Sequence, residues 1–232
     1  MPRQNRVDPF GQLIATSARG TLMGNRGCLH DTGDHPLRQY QARRWIICVL
    51  DFKGRTRTPM PPGHYTSLFF LDEATALAAG HRPCAECQRE RFNDFRRHWA
   101  AANPELAGSA TPLVAAIDST LHRERISDHF YQRNKVKLTY TDHLDALPDG
   151  TFVLLETRTT PYLVWHNALY PWSFAGYDPP IAPPTTTVQV LTPRSTVRAL
   201  AHGYTPDVHA TVRRARLAAR REALGAHATE KP

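Results

Sequence analysis

The chain has no long apolar run. No window approaches the roughly 18 consecutive apolar residues that a membrane-spanning helix needs, which predicts no membrane partner. Its first residues, MPRQNRVDPF, are polar and lack the apolar core of a secretory leader, so a cytoplasmic location is the expectation. Cysteine is scarce: the 232 residues hold 4, at Cys28, Cys48, Cys84 and Cys87. In a cytoplasmic chain of this size that pattern argues against a disulfide framework, and clustered cysteines are read first as metal ligands. Familiar catalytic signatures are also missing. There is no His-Glu-x-x-His helix, no glycine-rich phosphate loop and no Gly-x-Ser-x-Gly elbow.

What is present begins with charge. Lys and Arg number 29 against 21 Asp and Glu, a formal net charge of +8. Such an excess favours polyanionic partners, above all nucleic acid, with DNA expected before RNA. Arginine dominates the positive side, and its planar fork suits bidentate phosphate contact. The candidate contacts are Arg26, Arg82 and Arg89, which lie close to cysteines in the sequence, and Arg213 and Arg214 in a basic C-terminal segment, VRRARLAARREAL, that also holds Arg216, Arg220 and Arg221.

Residues 1–44 are rich in Gly, Arg and polar residues and read as mostly loop, with a short strand near 12–16. The β-branched and aromatic cluster WIICVLDF predicts a strand over 45–52, and a second strand follows at 66–71. Asp72 is a good helix N-cap, and Gly80 is placed to stop the helix that follows. A longer helix is expected over 86–102, its Phe92, Phe95 and Trp99 forming one apolar stripe. Another helix is expected over 113–126. Beyond it, strands are expected at about 136–140, 151–156, 161–165, 169–173 and 188–192. The Pro-Asp-Gly turn at 148–150 joins two of them, and a final helix is expected with Thr192 as its N-cap, Pro193 at its first position and Gly203 just past its end. The whole predicts an α+β chain: an α/β module over 1–102, then an antiparallel β-rich module with flanking helices over 103–232.

The stretch GHRPCAECQRERF, residues 80–92, places Cys84 and Cys87 at knuckle spacing on a tight turn. Two thiolates so spaced form half of a tetrahedral zinc site. A redox pair would be expected to follow a strand, whereas here a helix precedes; an ordinary turn is the third reading. For the other half the polar loop GNRGCLHD offers Cys28 and His30, so the expected ligand set is Cys28, His30, Cys84 and Cys87. His35 and His64 are loop histidines in reserve. Cys48, inside an apolar run, is expected to be a small core residue.

Residues 65–87, YTSLFFLDEATALAAGHRPCAEC, resemble the second half of the Ada-type metal-binding domain, the zinc domain of bacterial DNA methylphosphotriester repair proteins. Phe69, Phe70, Ala76, Ala78, Ala79, Gly80, Arg82, Pro83, Cys84 and Cys87 carry the likeness, which extends more loosely over residues 20–99. It implies a zinc cofactor and a role in DNA repair or processing. In that family a zinc-bound thiolate of the first cysteine pair, spaced Cys-x-x-x-Cys, accepts a methyl group from a DNA phosphotriester. This chain departs there, offering only Cys28 with His30 in place of a second thiol. A set with one histidine is less anionic than four thiolates, so a structural zinc is the expectation. Methyl transfer to Cys28, or zinc-dependent hydrolysis of nucleic acid, is the enzymatic alternative.

Outside the knuckle, STLHRERISDHF could gather His122, Glu124 and Asp128 for acid–base work, with Arg123 and Arg125 for phosphates. A solvated helix face is the plainer reading. The aromatics Tyr162, Trp165, Tyr170, Trp172, Phe174 and Tyr177 could stack on bases, although strands need such residues for their core.

Overall fold

The computed structural model describes residues 1–31, 35–54, 60–127 and 136–219. It is a mixed α+β fold built on two six-stranded sheets. The first holds β1 (Gln4–Val7), β2 (Leu13–Ala15), β3 (Leu22–Asn25), β4 (Ile46–Cys48), β5 (Leu68–Phe70) and β6 (Arg82–Pro83), in the order β2-β1-β5-β3-β4-β6. Helix α1 (Glu73–Ala78) links β5 to β6, and α2 (Arg89–Ala102), α3 (Pro104–Ala107) and α4 (Val114–Arg125) follow. The second sheet is antiparallel throughout. It holds β7 (Tyr140–His143), β8 (Phe152–Leu154), β9 (Pro161–Val164), β10 (Leu169–Ser173), β11 (Gly176–Tyr177) and β12 (Thr187–Val190), ordered β11-β10-β9-β8-β12-β7. Helix α5 (Arg194–Ala201) and a helical run at 211–219 complete it. Among the described residues no helix is long and apolar enough to cross a membrane.

Two strands, β1 and β3, form where the sequence reads as loop. In β1 the inward positions are Asn5 and Val7, and a buried asparagine hides the alternation; its Nδ2 is satisfied by the Ser67 carbonyl at 3.1 Å. In β3 the reason for glycine is close approach, since a Cβ on Gly24 would lie 2.2 Å from the Ile46 carbonyl oxygen. The strand expected at 136–140 forms later, as β7. Thr192 does not cap α5: its hydroxyl accepts from the Phe152 amide, and Pro193 takes the N-cap position. Glu124 accepts from the Ser195 amide and hydroxyl at the start of α5 instead, which is where that candidate acid goes. Phe92, Phe95 and Trp99 form the buried stripe of α2 as expected. Tyr162, Tyr170, Trp172 and Tyr177 are core residues, while Trp165 and Phe174 are half-buried against the same layer.

All six residues of α1 are buried, and the helix lies between the two sheets. Its Ala76 and Leu77 join a cluster with Ile47, Phe95, Trp99 and Leu200, whereas Ala74 and Ala78 pack with Phe152, Tyr170 and Trp172. Small side chains let the helix sit between two layers of aromatics. Side chains from both sides of residue 102 therefore share both clusters.

Two carboxylates at the start of α1 tie the surrounding chain to it. Asp72 accepts from the Thr75 amide (2.9 Å) and hydroxyl (2.6 Å), the Tyr177 hydroxyl (2.8 Å) and the His209 amide (2.9 Å). Glu73 accepts from Tyr204 and from the Asp207 amide, and pairs with Arg91. Burial pushes both carboxyls above their usual range, and these donors oppose the shift. Replacing Asp72 with Ala would strand several buried donors at about 1–3 kcal/mol each, so Asp72→Ala is expected to lower stability by about 3–5 kcal/mol. The urea midpoint, at unchanged slope, measures it.

Candidate metal centre

The pairing of β4 with β6 is parallel, with Ile46 opposite Arg82 and Ile47 opposite Pro83. Extending that register by one residue sets Cys48 beside Cys84, and the Cys84 amide donates to the Ile47 carbonyl at 2.9 Å. The turn over 85–88 then brings Cys87 back toward the strand ends. The Sγ atoms of Cys48, Cys84 and Cys87 all lie within 4.8 Å of one another. Tetrahedral zinc–sulfur bonds of about 2.3 Å separate sulfurs by about 3.8 Å, so a small closure suffices for a metal to be held. The three cysteines can bind a metal ion.

The surroundings are built for thiolates. The Glu86 amide donates to Cys84 Sγ at 3.4 Å, the Cys87 amide also donates to it, and the Val49 amide donates to Cys87 Sγ. The Gln88 side chain fixes the turn to the strand by donating to the Ile47 carbonyl at 2.8 Å. Met23, Ile46 and Phe69 pack around the sulfurs and limit water. Within the set, hydrogen bonding from the Cys48 thiol lowers Cys84 to about 5, against the opposing effect of burial. The same bond, with burial, pushes Cys48 far upward, and burial raises Cys87. The hydrogen bond thus favours the thiolate form of Cys84, and a metal bound by all three sulfurs would displace the thiol protons that remain.

The expected set of Cys28, His30, Cys84 and Cys87 is brought together only in its second pair. The antiparallel register of β3 and β4 sets Met23 opposite Cys48 and Asn25 opposite Ile46. Cys28 therefore follows β3 beyond the end of β4 that is remote from Cys48. Its thiol donates to the His30 carbonyl at 3.2 Å. His30 is buried, with Nε2 donating to the Pro61 carbonyl and Nδ1 accepting from the Thr66 hydroxyl at 2.6 Å, so both ring nitrogens are engaged. His35 and His64 are exposed loop residues outside the sulfur set. Cys48 is a core residue, as expected from its run, and it is also the third sulfur.

The candidate phosphate contacts divide by burial. Arg82 is 1% exposed and forms a two-bond ion pair with Asp118, both contacts at 2.9 Å, so it faces no surface ligand. Arg26 is also 1% exposed and lines a cavity. Arg89, Arg213 and Arg214 are exposed, while Val212 and Ala215 hold their helical run to the core. Of the segment around α4, His122 packs edge-on against Tyr40 and Arg125 is buried. Asp128, Arg220 and Arg221 lie outside the described residues. Comparison with protein-family models, curated proteins and solved structures finds no match to this chain.

Two outcomes are expected. In protein loaded with cobalt(II), Cys48→Ala should weaken the thiolate-to-cobalt charge-transfer band and Cys28→Ala should leave it intact; the reverse pattern would put Cys28 in the site. Breaking the buried pair by Arg82→Met should cost about 3–5 kcal/mol in urea denaturation through the stranded Asp118 carboxylate.

Proposed function

We propose that this chain is a zinc protein related to the Ada-type metal-binding domain and that it binds nucleic acid, DNA before RNA, in repair or processing. The observation that carries the proposal is the three-sulfur set of Cys48, Cys84 and Cys87, with its amide donors. Soft thiolates in a tetrahedral arrangement select zinc, copper(I) or iron–sulfur centres, and a three-thiolate set with one further position suits zinc. Zinc held there would pin the ends of β4 and β6 to the start of α2.

Support for the partner comes from the net charge of +8 and from the exposed side chains of Arg89, Arg213 and Arg214. The resemblance over residues 65–87 adds DNA repair as the setting. The family's first-pair spacing, counted from Cys48, falls on Phe52, so the reactive pair of that family has no counterpart at this strand. A structural zinc follows from that departure. Of the three thiols Cys87 is the half-buried one, and it is the sulfur that an enzymatic variant of this reading would use.

Purified protein should carry one zinc per chain and bind DNA with strong salt dependence. Arg213→Glu with Arg214→Glu should shallow the slope of log affinity against log salt by about two phosphate contacts, since each contact contributes about 0.9. Metal analysis and fluorescence anisotropy at several salt concentrations measure both. A zinc-loaded protein without salt-sensitive affinity would sink the nucleic-acid half, and a stable, metal-free fold would sink the zinc half.

A further inference from the structure

A cavity of about 580 Å³ opens between the turn that holds Phe10 and Gly11, the loop 36–39 and the chain around Lys137. Arg26, Arg125, Lys137 and Trp45 line it. Arg26 and Arg125 are each 1% exposed, and each guanidinium carbon lies 3.9 Å from the Trp45 ring centroid. Two buried arginines thus flank one indole.

How these cations are partnered sets the site apart. Arg26 donates Nε to His81 Nε2 (3.2 Å) and Nη1 to the Gly11 carbonyl (2.9 Å), and its Nη2 has no hydrogen-bond partner in the protein. Arg125 donates to the Gly80 carbonyl (2.8 Å) and the Arg43 carbonyl (2.5 Å), and its Nε has none. Lys137 donates to the Ala78 carbonyl at 2.5 Å. Every one of these acceptors is neutral. Elsewhere the same chain gives such arginines acids: buried Arg82 has Asp118, and half-buried Arg91 has Glu73. Among the described residues Asp8 is the carboxylate that acts on Arg26 and Lys137, and Asp118, already paired with Arg82, acts on Arg125; Asp8 Oδ1 accepts from the Gln12 amide at 2.8 Å, and no ion pair to the three cations is formed among them. Burial lowers Arg26 to about 9 against the pull of Asp8, while burial and then repulsion from Arg26 lower Arg125 to about 8, and burial with repulsion from both arginines lowers Lys137 to about 7.

Among the described residues these three cations hold neutral hydrogen-bond acceptors and form no ion pair, and such cations beside a cavity, with spare N–H donors, form an anion receptor. We propose that this cavity binds a phosphate monoester. A dianion offsets more of the three positive charges than a carboxylate does, and its several oxygens can take both spare donors as well as Lys137. The volume lies in the range of about 300–1,000 Å³ typical of small-molecule sites, so the phosphate carries an organic body of roughly nucleoside size. Phe10, Leu13 and Leu37 supply the apolar wall for that body. The site is distinct from the sulfur centre and does not rest on its metal.

The test uses full-length protein with its metal content measured in parallel. Calorimetry with AMP, adenosine, inorganic phosphate, and one oligonucleotide bearing either a 5′-phosphate or a 5′-hydroxyl separates the sources of the phosphate. AMP should bind saturably and adenosine should not. A 5′-phosphate that strengthens oligonucleotide binding at fixed salt assigns the ligand to a strand end, and AMP binding without that gain assigns it to a free nucleotide. Lys137→Met should weaken the preferred probe by about tenfold or more, the loss of one charge-assisted hydrogen bond, at unchanged metal content. Arg26→Gln should weaken it further, and if that variant fails to fold, Lys137→Met decides. The proposal is overturned if no phosphorylated probe binds saturably at millimolar concentration, or if Lys137→Met binds as the wild type does.

Discussion

The structure depends on two adjacent acids at the start of one six-residue helix. Asp72 and Glu73 are buried, yet each is met by several donors drawn from distant parts of the chain, including Tyr177, Tyr204, Asp207 and His209. A buried carboxylate is tolerable only when its lone pairs are occupied, so these contacts also dictate where the donors must stand. The C-terminal chain is thereby fixed against α1, and α1 against both sheets. The Trp172 indole adds a further tie by donating to the Thr75 hydroxyl at 3.1 Å. The module expected to end near residue 102 is thus joined to the rest through its own helix cap.

This explains which features were legible. Asp72 as N-cap, Gly80 as helix stop, the stripe Phe92-Phe95-Trp99 and the strand-rich second half rest on local rules: side-chain capping, the conformational freedom of glycine and periodicity. Gly80 shows both layers at once. Its φ of +87° suits the stop, and a Cβ there would lie 2.5 Å from Arg125 Cδ, a reason no local reading supplies. The second half of the metal centre was legible for the same cause, because Cys84 and Cys87 sit on one turn.

What escaped was long-range register. Cys28 stands in a polar, glycine-rich loop with a histidine nearby, which is what a ligand loop looks like in one dimension. Cys48 stands in an apolar run, which is what a core residue looks like. Only the parallel pairing of β4 with β6, two short strands separated by more than thirty residues of chain, turns Cys48 toward the knuckle and leaves Cys28 at the other end. His30 was misleading for a related reason: its ring is consumed by Thr66 and Pro61, partners invisible from its own neighbourhood. Arg26 and Arg82 look alike in sequence, and only packing separates the paired arginine from the unpaired one.

The same two strands connect the two candidate sites. Each begins at the arginine cavity and ends at the sulfurs. Trp45 precedes β4 and His81 precedes β6, and these two rings lie 5.1 Å apart beside Arg26. Cys48 ends β4 and Cys84 follows β6. Arg125 bonds the carbonyls of Arg43 and Gly80, just upstream of the two strands, while a metal on Cys48, Cys84 and Cys87 would bond the opposite ends. The strands are too short for their few ladder hydrogen bonds to hold register alone, so the pair is clamped at both ends, by a cation on neutral carbonyls and by a thiolate set. A metal that fixes the sulfur end therefore also fixes the spacing of Trp45 and His81, the surfaces against which Arg26 is aimed. In this geometry a metal held by the three sulfurs, even one that did no chemistry, would bear on the shape of the cavity at the far end of the same two strands.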